Sequence, residues 1–478
     1  MINPIVLGGL MLALYGCAST APQPATPFAA VDIPDTWAAA TDNTAHVSPS
    51  SLAQWWARFD DPLLSHLVTQ ALQANPDIKS AEAALRQARA LRDVSAAALW
   101  PNVGSSASAR RSQSGSDSAV NRFDVGLDAS WELDFFGANQ SALEASEATA
   151  RASAARLGDV QVSIAAEVAL NYIALRGAQT LFAIAHDNLS SQLETLQLTQ
   201  WRLQAGLTTS LEAEQARTET EQTRAQLPVL QTSIAQNRHA LAVLIGQPPA
   251  ALATVLATEV PVPQAADDLA LSLPAETLRQ RPDVRVAEEQ VTAAIARVAQ
   301  ADAALMPNFQ IGGSLGLNAL TLGALTDGTS VVSVLLASVS LPVFDSGARR
   351  AQVRAEQAAL DQAYRDYQAT VLTALKDVED ALVALRGDRE RLLSLQRAAE
   401  AAGNAALLAR QRYSSGLIDF QTVLDTQRTQ LRTQESVASV RIALSSNYVR
   451  LYKALGGGWP PDDRAASSTQ DALQAPRS

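Results

Sequence analysis

Apolar residues recur along this chain with two different periods. Val168, Leu175, Phe182, Leu189, Leu196 and Leu203 stand seven apart, as do Tyr364, Val371, Val378, Leu385 and Leu392. A seven-residue stripe winds helices about each other in a left-handed supercoil. Proline is absent from 138 to 227 and from 343 to 459, so each stripe predicts a helix far longer than the usual dozen residues. A second stripe, Leu227, Ile234 and Leu241, returns as Val437, Leu444 and Leu451 and predicts a shorter antiparallel partner for each long helix. At 1.5 Å per residue, 138–204 would reach about 100 Å. The stripes alone are equally compatible with an ordinary soluble coiled coil.

The other period is two. Phe123, Val125, Leu127, Ala129, Trp131 and Leu133 alternate with Asp124, Gly126, Asp128, Ser130, Glu132 and Asp134, which is the pattern of a strand. Val103 to Arg111 is its predicted hairpin partner, across the polar turn Ser112 to Asn121. Phe309, Ile311, Gly313, Leu315 and Leu317 repeat the plan, followed by a Gly/Thr-rich loop from Asn318 to Ser330 and a strand from Val331 to Val343. Four strands per chain are expected.

Both periods occur twice because the chain repeats itself. Asn75-Pro76-Asp77-Ile78 returns as Arg281-Pro282-Asp283-Val284, and Leu99-Trp100-Pro101-Asn102 as Leu305-Met306-Pro307-Asn308, each 206 residues on. Ala174-Leu175-Arg176-Gly177 returns as Ala384-Leu385-Arg386-Gly387, Gly206-Leu207 as Gly416-Leu417, and Ile245-Gly246 as Leu455-Gly456, each 210 residues on. Two tandem copies of about 200 residues follow, with four extra residues in the second after Pro307.

Composition narrows the chemistry. A net charge of -11 disfavours nucleic acid, whose binding rests on Lys and Arg neutralising phosphates. Four histidines and one cysteine at no metal-ligand spacing leave no zinc or disulfide chemistry to predict. No GxSxG elbow, P-loop or HExxH is present, so no catalytic residue and no cofactor are expected. The cysteine, Cys17, follows the apolar run Ile5 to Leu14, which is too short to span a bilayer and reads as a signal peptide over 1–16. Leu14-Tyr15-Gly16-Cys17 resembles a lipobox, which would make Cys17 the acylated (palmitate-bearing) N-terminus of a lipoprotein. Tyr15 is bulky for that pattern and Met1 to Pro4 carries no basic residue, so the start could lie upstream. The alternative is a buried free cysteine behind an ordinary signal peptide. Ala18, where an inner-membrane lipoprotein usually has Asp, implies outer-membrane sorting.

A small sheet with one wet face would explain the alternation in a soluble protein. Three features favour a membrane instead. The strands have the ten or so residues that cross an outer membrane when tilted. Trp100, Trp131, Phe135, Phe309 and Phe344 all fall at strand ends on one side of the hairpins, as an interfacial aromatic girdle would. Cys17 independently points to a bilayer. Four strands cannot close a barrel and open edges are not tolerated in lipid, so oligomerisation is required. Alternation then places Asp124, Asp128 and Glu132 toward a lumen and Val125, Leu127 and Ala129 toward lipid.

Several segments resemble one family. They are Trp55 to Leu64 with Ala71-Leu72 and Asn75, Trp131 to Gly137 (WELDFFG), Arg281 to Val284, Phe344 to Gly347, Phe420 to Arg428 (FQTVLDTQR) and Leu451 to Trp459. In this order, on a tandem repeat behind a lipobox, they are similar to the outer membrane factors of tripartite efflux systems, the TolC-like channels, and within them to the NodT/OprM-type lipoproteins.

The resemblance implies an α+β membrane protein: a homotrimer closing a 12-stranded transmembrane β-barrel, four strands per chain, continued by a periplasmic α-helical coiled-coil barrel. It implies an outer-membrane exit duct carrying drugs or other small molecules. The partners would be a periplasmic adaptor docking near Gly206 and Gly416, and an inner-membrane pump of the proton-driven resistance-nodulation-division type. A type I protein secretion channel and a purely structural coiled-coil lipoprotein are the alternatives. It further implies a periplasmic gate made from Tyr413, Asp425, Arg428, Arg412, Glu212 and Gln421. The expected divisions are 1–16 signal, 17–50 lipidated tether, 51–246 first repeat with hairpin 101–134 and helices 138–246, 247–281 linker, 282–456 second repeat with hairpin 307–343 and helices 346–456, and 457–478 tail. Residues 51–74, the linker and the tail would form an equatorial belt.

Overall fold

The computed structural model describes residues 33–38, 52–115, 118–265, 274–327 and 330–459. Cys17, with the signal and tether, lies outside them. The described chain forms two compact units, one from residues 85–153 and 286–369, the other from 33–84, 154–285 and 370 onward. In order, it runs through α1 (Pro62–Ala74), α2 (Pro76–Ala97), β1 (Asn102–Ser112), β2 (Val120–Leu133), α3 (Ala138–Gln204), α4 (Ser210–Leu244), α5 (Pro274–Gln280), α6 (Pro282–Ala303), β3 (Asn308–Ala319), β4 (Val331–Ser340), α7 (Ala348–Ser414) and α8 (Phe420–Ala454).

Helices at corresponding places have equal lengths: 22 residues in α2 and α6, 67 in α3 and α7, 35 in α4 and α8. The segment joining β1 to β2 is 113–119, while that joining β3 to β4 is 320–330 and is longer by the four residues that separate the two sequence offsets. The strand expected to reach Val343 ends at Ser340. Proline at 342 lacks the N–H that would continue the ladder. Pro228, where the proline-free run ended, lies inside α4 without ending it. Its ring is on the exposed side, where the carbonyl that loses its donor can bond water instead.

The first unit carries the sheet. Its order is β1-β2-β3-β4, all antiparallel, with β1 and β4 as edges. Val125 pairs with Ala107 and Leu317, and Leu127 with Ser105 and Leu315, so apolar positions of neighbouring strands stack on one face. The helices of this unit pack through small residues. Ala148 and Val291 are fully buried, Ser95 and Ser146 hydroxyls meet at 2.7 Å, and Arg151 pairs with Glu289 at 2.9 Å.

The second unit holds the large core. Trp55 is fully buried in a short 3-10 turn, Trp55–Phe59, and stacks on Tyr452 at 5.3 Å with Trp56 edge-on at 5.8 Å. Asp61 caps α1, accepting from the backbone N–H groups of Leu63 and Leu64, and its other oxygen accepts the Tyr172 hydroxyl at 2.7 Å. Burial, reinforced by that bond, pushes the Tyr172 phenol up to about 12. The repeated Asn75 and Arg281 do the same job with different atoms. Asn75 donates from Nδ2 to the Leu244 carbonyl at 2.9 Å, and Arg281 donates from Nη1 to the Ala454 carbonyl at 2.9 Å, each at the end of the last helix of its half. The following glycine must take a left-handed turn there, with φ of 72° at Gly246 and 75° at Gly456. A Cβ on Gly246 would sit 2.7 Å from the Ala74 carbonyl oxygen, which excludes any side chain.

Candidate gate and sheet lining

Asp124, Asp128 and Glu132 lie on one face of β2, opposite the apolar stack. The register puts Ser106 beside Gly126 and Ser108 beside Asp124, and the serine hydroxyls donate to Asp128 at 3.0 Å and to Asp124 at 3.3 Å. Arg122 pairs with Asp124 at 3.1 Å, while Glu132 accepts from Asn308 at 2.6 Å. At the opposite end of the strands from the turns, Trp100 and Phe344 are 74% and 88% exposed. Trp131 donates from its indole to the Leu99 carbonyl, and Phe309 meets Phe135 edge-on at 5.1 Å. The aromatic residues therefore share one edge of the sheet, the edge where the chain enters from the helices.

The helical hairpins turn at Gly206 and Gly416, both with positive φ and with matching carbonyl bonds from the residues that follow. Tyr413, in the last turn of α7, is buried and stands at the centre of a polar cluster. Its hydroxyl donates to Glu212 at 3.3 Å, and Glu212 also accepts a short bond from the Thr208 hydroxyl. Arg202 lies over the Tyr413 ring at 4.6 Å and donates to its carbonyl at 2.8 Å. Burial raises the Tyr413 phenol above its ordinary range, with the Glu212 charge adding to the rise and Arg202 opposing it.

The six expected gate residues are thus only partly assembled as anticipated. Tyr413 and Glu212 meet. Gln421 and Asp425 bond each other at 3.2 Å on an exposed face, but Arg428 does not join them there: its Nε donates to Glu219 at 2.7 Å, and Glu219 is almost wholly buried. Arg412 is exposed and makes no side-chain bond among the described residues. Its counterpart 210 residues earlier, Arg202, holds the position over Tyr413. Glu219 was legible in principle, since it stands seven residues after Glu212 and so falls on the same helix face.

Among known proteins, the outer membrane efflux protein family matches this chain over residues 67–247 and again over 273–457. This chain belongs to that family. It is 32% identical over 468 residues to the pyoverdine export outer membrane protein OpmQ of Pseudomonas putida, covering 95% of this chain and 97% of that protein. It is 31% identical over 417 residues to the toluene efflux pump outer membrane protein TtgF of Pseudomonas putida, covering 85% of each. Among solved structures it superposes on the outer-membrane channel OprN with a TM-score of 0.84 and 38% identity, covering 92% of this chain and 99% of that one. The open state of the Neisseria gonorrhoeae MtrE outer membrane channel follows at a TM-score of 0.80 and 27% identity, covering 92% and 98%. The protein is accordingly an outer-membrane channel of an efflux pump, and its described residues contain no cluster able to hold a metal.

Proposed function

We propose that three copies of this efflux channel close their sheets into one 12-stranded barrel, with the acidic face inward, and pass small organic solutes from the periplasm to the outside. One observation carries the reading: a four-stranded sheet with one largely apolar and one largely polar face whose two edges, β1 and β4, have no partner strand among the described residues. Unpaired backbone groups at such edges are costly in hydrocarbon, and pairing β4 of one copy with β1 of the next satisfies them all. Two tandem copies per chain would then supply alternate hairpins of the duct. Cys17 carries lipid and adds a tether, while a periplasmic adaptor meets the turns at Gly206 and Gly416 and couples them to an inner-membrane pump. The names of OpmQ and TtgF, a pyoverdine exporter and a toluene pump component, support small solutes over exported proteins.

In planar bilayers the assembled protein should conduct with cations preferred, because threefold symmetry turns Asp124, Asp128 and Glu132 into rings of acids. Reversal potentials under a salt gradient measure this. Anion preference, or no pore at all, would overturn the reading. Leu127→Lys, on the apolar face, should weaken assembly in membranes by about 2 to 4 kcal/mol if it lies near the midplane.

A further inference from the structure

The polar face is not uniform. From Gly104 to Arg110 on β1, Arg122 to Glu132 on β2 and Gln310 to Asn318 on β3, every position on that face is glycine, polar or charged. On β4 the same face carries Val332, Val334 and Leu336, which are 47%, 53% and 61% exposed. Their cross-strand neighbours are Gly316, Ser314 and Gly312. Glycine leaves the flanks of Val332 and Leu336 bare, so the three side chains form an aliphatic rib beside a shallow floor. The register also fixes which acid faces the rib. Asp128 pairs with Ser314 and Ser314 with Val334, which puts the carboxylate and the middle of the rib on one rung, two strands apart. Two strand spacings are about 10 Å. Asp124 on the next inward rung but one is already engaged by Arg122, whereas Asp128 forms no ion pair among the described residues.

An aliphatic rib facing a water-filled pore exposes apolar surface that any apolar body gains by covering. The charge on the other side of the floor chooses among such bodies. We propose that the rib, the glycine floor and Asp128 form a weak subsite in the barrel lumen for amphipathic cations, meaning solutes with an apolar body and a positive group some 10 Å apart. The inference rests on the inward orientation of the polar face proposed above. Three such subsites, one per copy, would favour cationic apolar solutes over hydrophilic ones of equal charge while holding them loosely enough to leave, as conduction requires.

Hexyltrimethylammonium and tetramethylammonium have the same charge and differ in the apolar tail. Each is added to the barrel side of single assembled channels in a planar bilayer, and the concentration that halves the current is read. The hexyl compound should block at about tenfold lower concentration. V334S with L336S should bring the two compounds within about twofold of each other, and D128N should raise the blocking concentration of both. Because polar substitutions on an edge strand can disturb assembly, G312V provides an independent variant. A Cβ at Gly312 meets nothing nearer than the Ala129 carbonyl oxygen at 3.8 Å, so valine fills the floor while leaving the rib in place, and it too should abolish the preference. Equal block of the unaltered channel by both compounds, or a preference surviving V334S with L336S and also G312V in conducting channels, overturns the subsite. A protein that forms no pore would instead remove the channel reading beneath it.

Discussion

Within the second unit, the helices are packed by two different chemistries. Around Trp55 the buried positions are Val168, Leu175, Leu241, Val378, Leu385 and Leu451, each at most 3% exposed and closed over by Tyr172, Tyr448 and Tyr452. Toward the turns at Gly206 and Gly416 a smaller apolar cluster, Ala216, Ala409, Tyr413, Phe420, Val423 and Leu424, is joined by the buried polar residues Gln192, Thr195, Thr199, Thr220, Thr223 and Gln427. Thr199 and Thr220 donate to carbonyls of their own helices, and the Thr199 hydroxyl also bonds the Tyr413 phenol on α7. Side-chain bonds also cross between helices there, among them Gln427 to Thr195 at 2.9 Å, Asn188 to Gln434 at 2.8 Å and Arg428 to Glu219 at 2.7 Å. Apolar packing resists separation because each exposed methylene costs about 0.8 kcal/mol, whereas hydroxyls and amides exchange protein partners for water at little net loss.

The contrast is broken most directly in the core. Trp55→Ala removes the side chain on which Tyr452 stacks, and should destabilise the protein by about 3 to 5 kcal/mol in detergent, read from loss of helical circular dichroism on heating. A cost below about 1 kcal/mol would mean that the aromatic cluster does not anchor the unit. Arg281→Ala comes next, at about 3 kcal/mol, because it strands Asp283 and the Ala454 carbonyl. Arg281→Asn should recover much of that loss by imitating Asn75, whose Oδ1 caps the next helix through the Asp77 N–H at 2.8 Å. Failure of asparagine to improve on alanine would show that the two latches are not interchangeable. In the polar region the sign should invert. Both side-chain polar atoms of Gln192 are buried without a hydrogen-bond partner among the described residues, so Gln192→Leu should stabilise by about 1 to 2 kcal/mol in the same assay. Destabilisation would mean that Gln192 finds a partner in the assembled protein.

Much of the fold could be read from the chain because its two periods are long and repeated. The strand positions were evident from the alternation around Val125 and Leu127, and the helix ends from Gly206 and Gly416. The heptad stripe was less faithful near the turns. It runs on through Leu196 and Leu203, yet Leu203 is 37% exposed while Thr195 and Thr199 beside the stripe are buried. A straight helix of 3.6 residues per turn drifts about 20° per heptad, so five heptads beyond Val168 the stripe has turned by about 100° away from its starting face. Counting by sevens cannot see that rotation. Of the gate residues that the resemblance implies, Glu212 meets Tyr413, while Arg202 and Glu219 of the first copy, which it does not include, lie over Tyr413 and pair with Arg428 of the second.

The smallest expected effect is the most informative about function. Arg428 is about a third exposed and Glu219 almost buried, so their pairing at 2.7 Å is screened on one side and should contribute on the order of 1 kcal/mol. Tyr413 to Glu212 is a longer bond, 3.3 Å, of similar or smaller worth. Neither alone would hold a hairpin, but in the proposed trimer each would occur three times, and a closed state secured by several weak links would shift in population when a few are cut. Tyr413→Phe combined with Arg428→Ser should therefore raise single-channel conductance in planar bilayers. Glu219→Gln should reproduce the Arg428→Ser effect, and adding it to Arg428→Ser should change nothing further, since both remove one interaction. Asp425→Ala leaves both links intact and should instead weaken block by cations, because that carboxylate is exposed and, among the described residues, bonded only to Gln421. Additive conductance changes for Glu219 and Arg428 would show that the pair is not the link being broken. An unchanged conductance for all variants in correctly assembled channels would place the gate outside this cluster, and the polar seam around Gln192 and Thr199 would then be a feature of packing alone.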